Sequence, residues 1–503
     1  MLPPMLALFS WPVVSLVFFR KLRLPLAVLV TIIGGFLLLP QRGGLDFPGL
    51  TLNKDSIPAL SALCLALIFA DRETSGLRPQ GWLPRHPLAL ALLIALPVGA
   101  VMTALTNADT LRYGWRTLPG LSLYDAGSMV SSALTMILPL LLARRYLADA
   151  AGHRLILQVL CIAALGYSLL ALIEMRMSPQ LSNWIYGFFP HQFLQHYRAG
   201  GWRPVVFLPH GLVLGIFFAM SVMAVAGLMR VDTARRRLWI FGTIWLFVIL
   251  VLSRNFGALL ITMAFLPVLF FTKTRGQLLF AAIICGVFLA YPVARTAQVL
   301  PFDQILQLAE NFDPQRAGSF QFRLDNEERL LAKASERPVF GWGGWSRSRV
   351  FNEAGDDIST TDGAWVIAIG VSGWVGYLAR FGLLAAPVLL LWLHRRRYEI
   401  GMDSSVLTVV LAINLVDMIP NSSNLTLTWL LAGALWGRLE LQTAASAHEA
   451  TAVAGPTRVE YRRTDPPETA GDPPPVTPSV STPPLNPYTR QTRRIHRKDS
   501  TAG

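Results

Sequence analysis

Thirteen long apolar runs follow one another along this chain, at 4–19, 24–40, 57–70, 88–106, 128–143, 155–175, 205–229, 238–252, 256–272, 277–294, 365–393, 405–420 and 425–441. A helix needs about 17–25 apolar residues to cross the hydrocarbon core of a bilayer. Inside that core no water satisfies the backbone, so only helices and closed barrels can cross it. Most runs have helix length, and 15% of the residues are charged where a soluble domain carries about a quarter. The expected fold is all-α: a polytopic membrane bundle of about 12–13 transmembrane helices over 1–441. The first run ends in Arg20-Lys21 and lacks both a basic leader and a small-residue cleavage site, so it reads as a span rather than a signal peptide.

Basic residues cluster on every second loop: Arg20-Lys21-Arg23, Arg72/Arg78/Arg85, Arg144-Arg145/Arg154, Arg230/Arg235-Arg236-Arg237, Lys273/Arg275 and Arg395-Arg396-Arg397. The positive-inside rule places these loops in the cytoplasm. The loops 107–127 and 176–204 and a long polar insert, 295–364, then lie outside, as does the N-terminus. The last stretch, 442–503, is rich in Pro and Thr, ends in a basic cluster and has no apolar periodicity. It is expected to be a disordered cytoplasmic tail whose basic end touches anionic lipid head groups or is simply solvated. The net charge of +14 arises from these loops and the tail, and no nucleic-acid-binding motif accompanies it.

Cys64, Cys161 and Cys285 lie inside apolar runs without pairing spacing, and the histidines form no HExxH or His/Cys group, so neither a metal site nor a cofactor is expected. The chemistry-bearing residues are the outer arginines. Arg198 and Arg203 precede the seventh run, Arg254 sits in the short turn Ser253-Arg254-Asn255, and Arg323 lies in the insert. The planar guanidinium fork matches phosphate oxygens and keeps its charge when partly desolvated. Arg254 reads equally as a snorkelling anchor, and Arg347 and Arg349 as solvated loop charges. His210, at the start of the seventh run, reads as a hydrogen-bond donor to substrate or as a histidine satisfied by nearby backbone. Asp362, before the eleventh run, reads as a helix cap or as a general base. Gly370, Gly373 and Gly376 leave room for close helix approach or for a substrate chain. Asp417, within a run, is a functional candidate or the partner of Arg380.

These stretches together resemble the O-antigen ligase and O-antigen polymerase family. The resemblance rests on Ser253-Arg254 between two spans, on Arg323 followed by Glu336-Arg337-Pro338-Val339-Phe340-Gly341-Trp342-Gly343, and on Asp362-Gly363 followed after nine residues by Gly373-x-x-Gly376. It covers roughly 200–440. It implies an enzyme of the bacterial inner membrane that moves a glycan from a polyprenyl pyrophosphate to an acceptor hydroxyl on the periplasmic face, without metal or nucleotide. By that resemblance Arg254 and Arg323 hold the pyrophosphate; Arg203 is a further candidate for that role from its place among the outer arginines, and His210 and Arg198 are candidate substrate contacts. Asp362 stands where the ligases carry His, which favours polymerisation over ligation to lipid A–core and makes Asp362 the candidate base. The partners implied are a polyprenyl-pyrophosphate-linked oligosaccharide, membrane lipids and polysaccharide assembly proteins. A transporter or flippase for the same lipid-linked glycan is the alternative of a different class, and a nonenzymatic assembly partner is a third.

Overall fold

The computed structural model describes residues 1–454 except 48–49, 71–77, 199, 300, 313 and 424. Every apolar run becomes a helix. The first six are α1 (Pro4–Lys21), α2 (Leu24–Leu38), α3 (Ser56–Ile68), α4 (Pro87–Leu105), α5 (Leu123–Tyr146) and α6 (Ala150–Met177). A short α7 (Leu181–Tyr186) leads to α8 (Gly211–Val231), α9 (Arg236–Leu252), α10 (Phe256–Phe271) and α11 (Thr274–Thr296). The insert contributes α12 (Phe302–Phe312) and α13 (Pro314–Ser335), before α14 (Ala364–Leu393), α15 (Met402–Asp417) and α16 (Thr426–Ala454). Seven of the described helices, α1, α4, α5, α6, α8, α11 and α14, are long and apolar enough to cross a membrane, and α2, α3 and α10 are shorter apolar helices. The protein is a helical membrane protein.

Three findings refine the expected organisation. Short antiparallel hairpins ornament one end of the bundle: β1 (Leu45–Phe47) with β2 (Leu50–Leu52), β3 (Leu111–Tyr113) with β4 (Arg116–Leu118), and β5 (Tyr197–Arg198) with β6 (Gly201–Trp202). The first half of the insert 295–364 carries two helices, α12 and α13, and the described residues from Glu336 to Gly363 are irregular. The boundary set at 441 is not a structural one, because α16 continues to Ala454; residues 455–503 of the expected tail lie outside the described residues.

The core centres on α8, which packs against α6, α9, α10 and α15 and is buried almost all round. That explains its uniformly apolar sequence: a helix without a polar stripe must be enclosed. Polar contacts between loops sort by end. At one end Arg144 binds Glu440 at 2.6 Å and Arg154 binds Asp403 at 2.9 Å. At the other, Lys54 donates to the Phe207 carbonyl at 2.7 Å and Leu2 N–H to Ile185 O at 2.7 Å.

The element that positions the insert is a break in α14. Gly373 has φ 62° and ψ −168°, outside any helix. A break inside a membrane helix exposes backbone groups that lipid cannot satisfy, so it persists only where other groups fill it. The segment Pro338–Gly343 fills it. Trp342 and Gly343 N–H donate to Gly370 and Val371 carbonyls at 2.8 and 2.9 Å, and Trp374 and Val375 N–H donate to Pro338 and Val339 carbonyls at 2.8 and 3.2 Å. Gly341 and Gly373 are glycines because the two backbones touch: a Cβ on Gly373 would lie 2.3 Å from Val339 O, and one on Gly341 2.6 Å from Gly373 N. The space expected for a neighbouring helix or a substrate chain is thus taken by the protein's own loop. Arg347, expected to be a solvated charge, is 1% exposed and donates to the carbonyls of Trp342, Asp109 and Pro119 at 3.2, 3.0 and 2.8 Å. With Arg337, which reaches Asp109 at 2.8 Å, it ties the insert to the 107–120 loop. Burial alone would raise the Asp109 carboxyl, but the Arg337 hydrogen bond, its own backbone N–H and the charges of Arg337 and Arg347 hold it below the usual carboxylate range.

Candidate functional site

The structure gathers the candidate residues into two groups. The first is built around the turn between α9 and α10. Arg254 has φ 57°, a left-handed conformation uncommon for a residue with a side chain. Such strain persists where surrounding structure enforces it, and it clusters at functional sites. Here it delivers the guanidinium against Gly201, where an added Cβ would lie 2.4 Å from Arg254 Nη2, and lets Arg254 Nη1 donate to Arg198 O at 3.2 Å. Arg203 lays its methylenes over Gly211 and donates from Nη2 to Arg254 O at 3.3 Å, while its Nε is buried without a hydrogen-bond partner. Burial and the nearby Arg198 charge lower Arg203 to about 10, still cationic at neutral pH.

Three histidines complete this group. His191, His196 and His210 place ring nitrogens within 4.8 Å of one another. These histidines, for which the sequence gives no metal-ligand grouping, are scattered along the chain but not in space. His196 is fully buried, and neither of its nitrogens has a hydrogen-bond partner. Burial, then the neighbouring histidines and the Arg203 and Arg198 charges, hold His196 at about 3 and His210 at about 4, so both are neutral at pH 7. His210 caps α8: its Nδ1 accepts the Leu212 N–H at 3.0 Å. A neutral imidazole that accepts at Nδ1 carries its proton at Nε2. His210 therefore offers a donor rather than a metal-ligating lone pair. The arginines beside the triad oppose a cation as well. Donor inventory and charge both suit an anion.

The second group gathers where α13 meets the 360–362 and 418–423 loops. Arg323 Nε lies 3.7 Å from Asp362 Oδ2, and Arg323 Nη1 donates to Pro420 O at 3.1 Å. Asp362 does not cap α14. The N-cap is Gly363, and the Ala364 N–H is satisfied by Met418 and Asn421 carbonyls at 3.1 and 3.0 Å. Asp417 does not pair with Arg380. It accepts from Asn421 Nδ2 at 2.8 Å and from Ser423 Oγ. One turn beyond Arg323 lies Glu327, which is not among the residues singled out from the sequence. It is 7% exposed, accepts from Tyr291 Oη at 3.3 Å and faces Arg295 Nε at 3.7 Å. Burial lifts its carboxyl to about 7, against the opposing influence of the Arg295 charge, the Tyr291 hydrogen bond and the Arg323 charge. A carboxyl titrating near neutrality is suited to proton transfer. Its four-residue spacing from Arg323 was the available signal, had the insert been read as helix.

Compared with family models, curated proteins and solved structures, the chain matches none.

Proposed function

We propose that the chain is a membrane-embedded glycosyltransferase of the O-antigen polymerase and ligase kind, with about 12–13 spans in the bacterial inner membrane and its site on the periplasmic face. One observation carries the reading: Arg198, Arg203 and the three histidines of the loop before α8 meet Arg254 of the α9–α10 turn, at a spot where Arg203 Nε and the His196 ring are buried without hydrogen-bond partners. The diphosphate of a polyprenyl-linked glycan supplies acceptors there. In the second group Arg323 and the carboxyls of Asp362 and Glu327 serve the acceptor. The acceptor O–H gives its proton to Asp362 as its oxygen bonds the sugar anomeric carbon, and the bond from that carbon to the pyrophosphate oxygen breaks with the electron pair leaving on the phosphate. Glu327, titrating near neutrality, is the second general base of the site. Asp362 in place of the ligases' His places polymerisation ahead of ligation.

The broken helix α14 favours a second reading, since transporters carry discontinuous helices at their substrate sites. In this chain the break is occupied by Pro338–Gly343, and the candidate site groups are built largely from loops, the insert and helix ends rather than midplane helix, which supports an enzyme. The test compares glycan products from membranes carrying Asp362→Asn or Glu327→Gln at matched protein levels. A fall of about 10²–10⁴ in transfer is expected. Both variants retaining full activity would remove the enzymatic reading.

A further inference from the structure

A cleft of about 260 Å³ opens between the start of α3, the middle of α5 and the first turn of α16. Its walls carry polar groups that the fold itself does not use. Asn53 caps α3, its Oδ1 accepting the Asp55 and Ser56 N–H groups at 2.9 and 3.1 Å, so the Asp55 side chain is released from the capping role its position suggests. Among the described residues the Asp55 carboxylate accepts no hydrogen bond. Ser131 and Ser132, on adjacent positions of α5, likewise have hydroxyls without a partner among the described residues. Hydroxyls in an apolar helix usually bond back to the preceding turn, as Thr135 does to Ser131 O at 2.9 Å. Among the described residues the Asn53 amide nitrogen is also uncommitted, and Trp429 closes the cleft as a broad aromatic wall. Lys54, the nearby cation, points away: its Nζ is buried and donates to Phe207 O at 2.7 Å.

This inventory selects a ligand class. An anion meets the Asp55 carboxylate, and the Lys54 Nζ, though its charge acts on that carboxylate, is buried against Phe207 O rather than offered to the cleft. A metal ion finds one carboxylate and weak hydroxyl donors, short of a coordination shell. Hydroxyls that both donate and accept, an amide donor, a carboxylate acceptor and an aromatic wall suit a neutral polyhydroxylated ring, because each ring hydroxyl needs both a donor and an acceptor. Thr426, on the cleft wall, lies three residues beyond Ser423, which holds Asp417 beside the second group of the candidate site. We propose that this cleft binds a neutral sugar residue of the acceptor glycan, one that stays in place while a neighbouring unit reaches Arg323 and Asp362. The acceptor assignment rests on the proposed glycosyl transfer; the sugar-binding assignment does not.

The experiment uses the full chain in lipid nanodiscs without lipid-linked donor. Neutral gluco-, manno- and galacto-configured trisaccharides are the probes, and saturation-transfer NMR is the readout. The wild type is expected to bind at least one. Asp55→Asn should weaken that binding at least about tenfold, the loss of a hydrogen bond to a charged group. Ser131→Phe, which fills the cleft, should abolish it with the melting temperature unchanged. No binding by the wild type, or binding undiminished in a folded Ser131→Phe protein, overturns the proposal. Sugar binding without any glycan transfer in a separate turnover assay would leave the cleft standing and sink the enzymatic reading instead.

Discussion

Replacing Gly373 with alanine should release the insert from the bundle. The residue sits at φ 62° and ψ −168°, a region that only glycine occupies without strain, at a cost of about 1–3 kcal/mol for other residues. The new Cβ would also lie 2.3 Å from Val339 O and 2.4 Å from Val339 C. These are backbone atoms that cannot rotate away, so Pro338–Gly343 must retreat. Retreat breaks four backbone hydrogen bonds between that segment and α14, each contributing about 0.5–1.5 kcal/mol. The combined loss is on the order of 3–9 kcal/mol, and most of it falls on the insert, because the α8-centred core makes none of these contacts. Limited proteolysis should therefore cut Gly373→Ala within 295–364 far faster than wild type, with a lower melting temperature for a first, partial transition. Gly318→Ala is the control: it lies on α13 with nothing within 4 Å of the added Cβ, and helix propensity alone makes it neutral or stabilising. Equal protease resistance of Gly373→Ala and wild type would refute the claim that this junction holds the insert.

Arg254→Lys and Arg323→Lys should each lose about 2–4 kcal/mol of transition-state stabilisation in a transfer assay, because a point charge does not reproduce the guanidinium fork; full activity would reduce both to interfacial anchors. Glu327 is raised to about 7, so its contribution to stability is complete below its unfolded value near 4.5 and is lost as pH rises through about 7. Melting temperature should fall between about pH 5 and 8 in wild type and lose that component in Glu327→Gln. Gly318→Cys, in a Cys64→Ala background because Cys64 is exposed, should react with an impermeant thiol reagent in intact spheroplasts; labelling only after lysis would invert the topology.

The helices were legible because apolar runs of bilayer length leave the backbone one solution. The interior of the insert was less so. Its helices α12 and α13 are amphipathic rather than apolar, and without them Glu327 could not be seen to share a face with Arg323. The motif glycines were visible as a spacing. That Gly341 and Gly373 touch each other, rather than a ligand or a neighbouring helix, depends on a contact between distant segments. The histidine triad is a product of loop folding around α8 and has no signature in sequence. Asp362 stands near a helix start, as its sequence position implies, but of its two readings the cap is not the one the fold uses, because carbonyls from the 418–421 loop, remote in sequence, take that role.

The clamp on Asp109 sets a timetable for synthesis. Its partners, Arg337 and Arg347, lie 228 and 238 residues further along the chain. At about 5–20 residues per second, the ribosome supplies Arg347 roughly 12–48 s after Asp109. Throughout that interval the 107–120 loop waits with its Asp109 carboxylate and Pro119 carbonyl lacking these two arginines. The break in α14 is made later still, once residues beyond Gly373 arrive. Nascent chains arrested before residue 337 should therefore present residues 107–120 as a protease-sensitive or chaperone-bound segment, and the end of the bundle that carries the insert is among the last parts of this protein to acquire a shape.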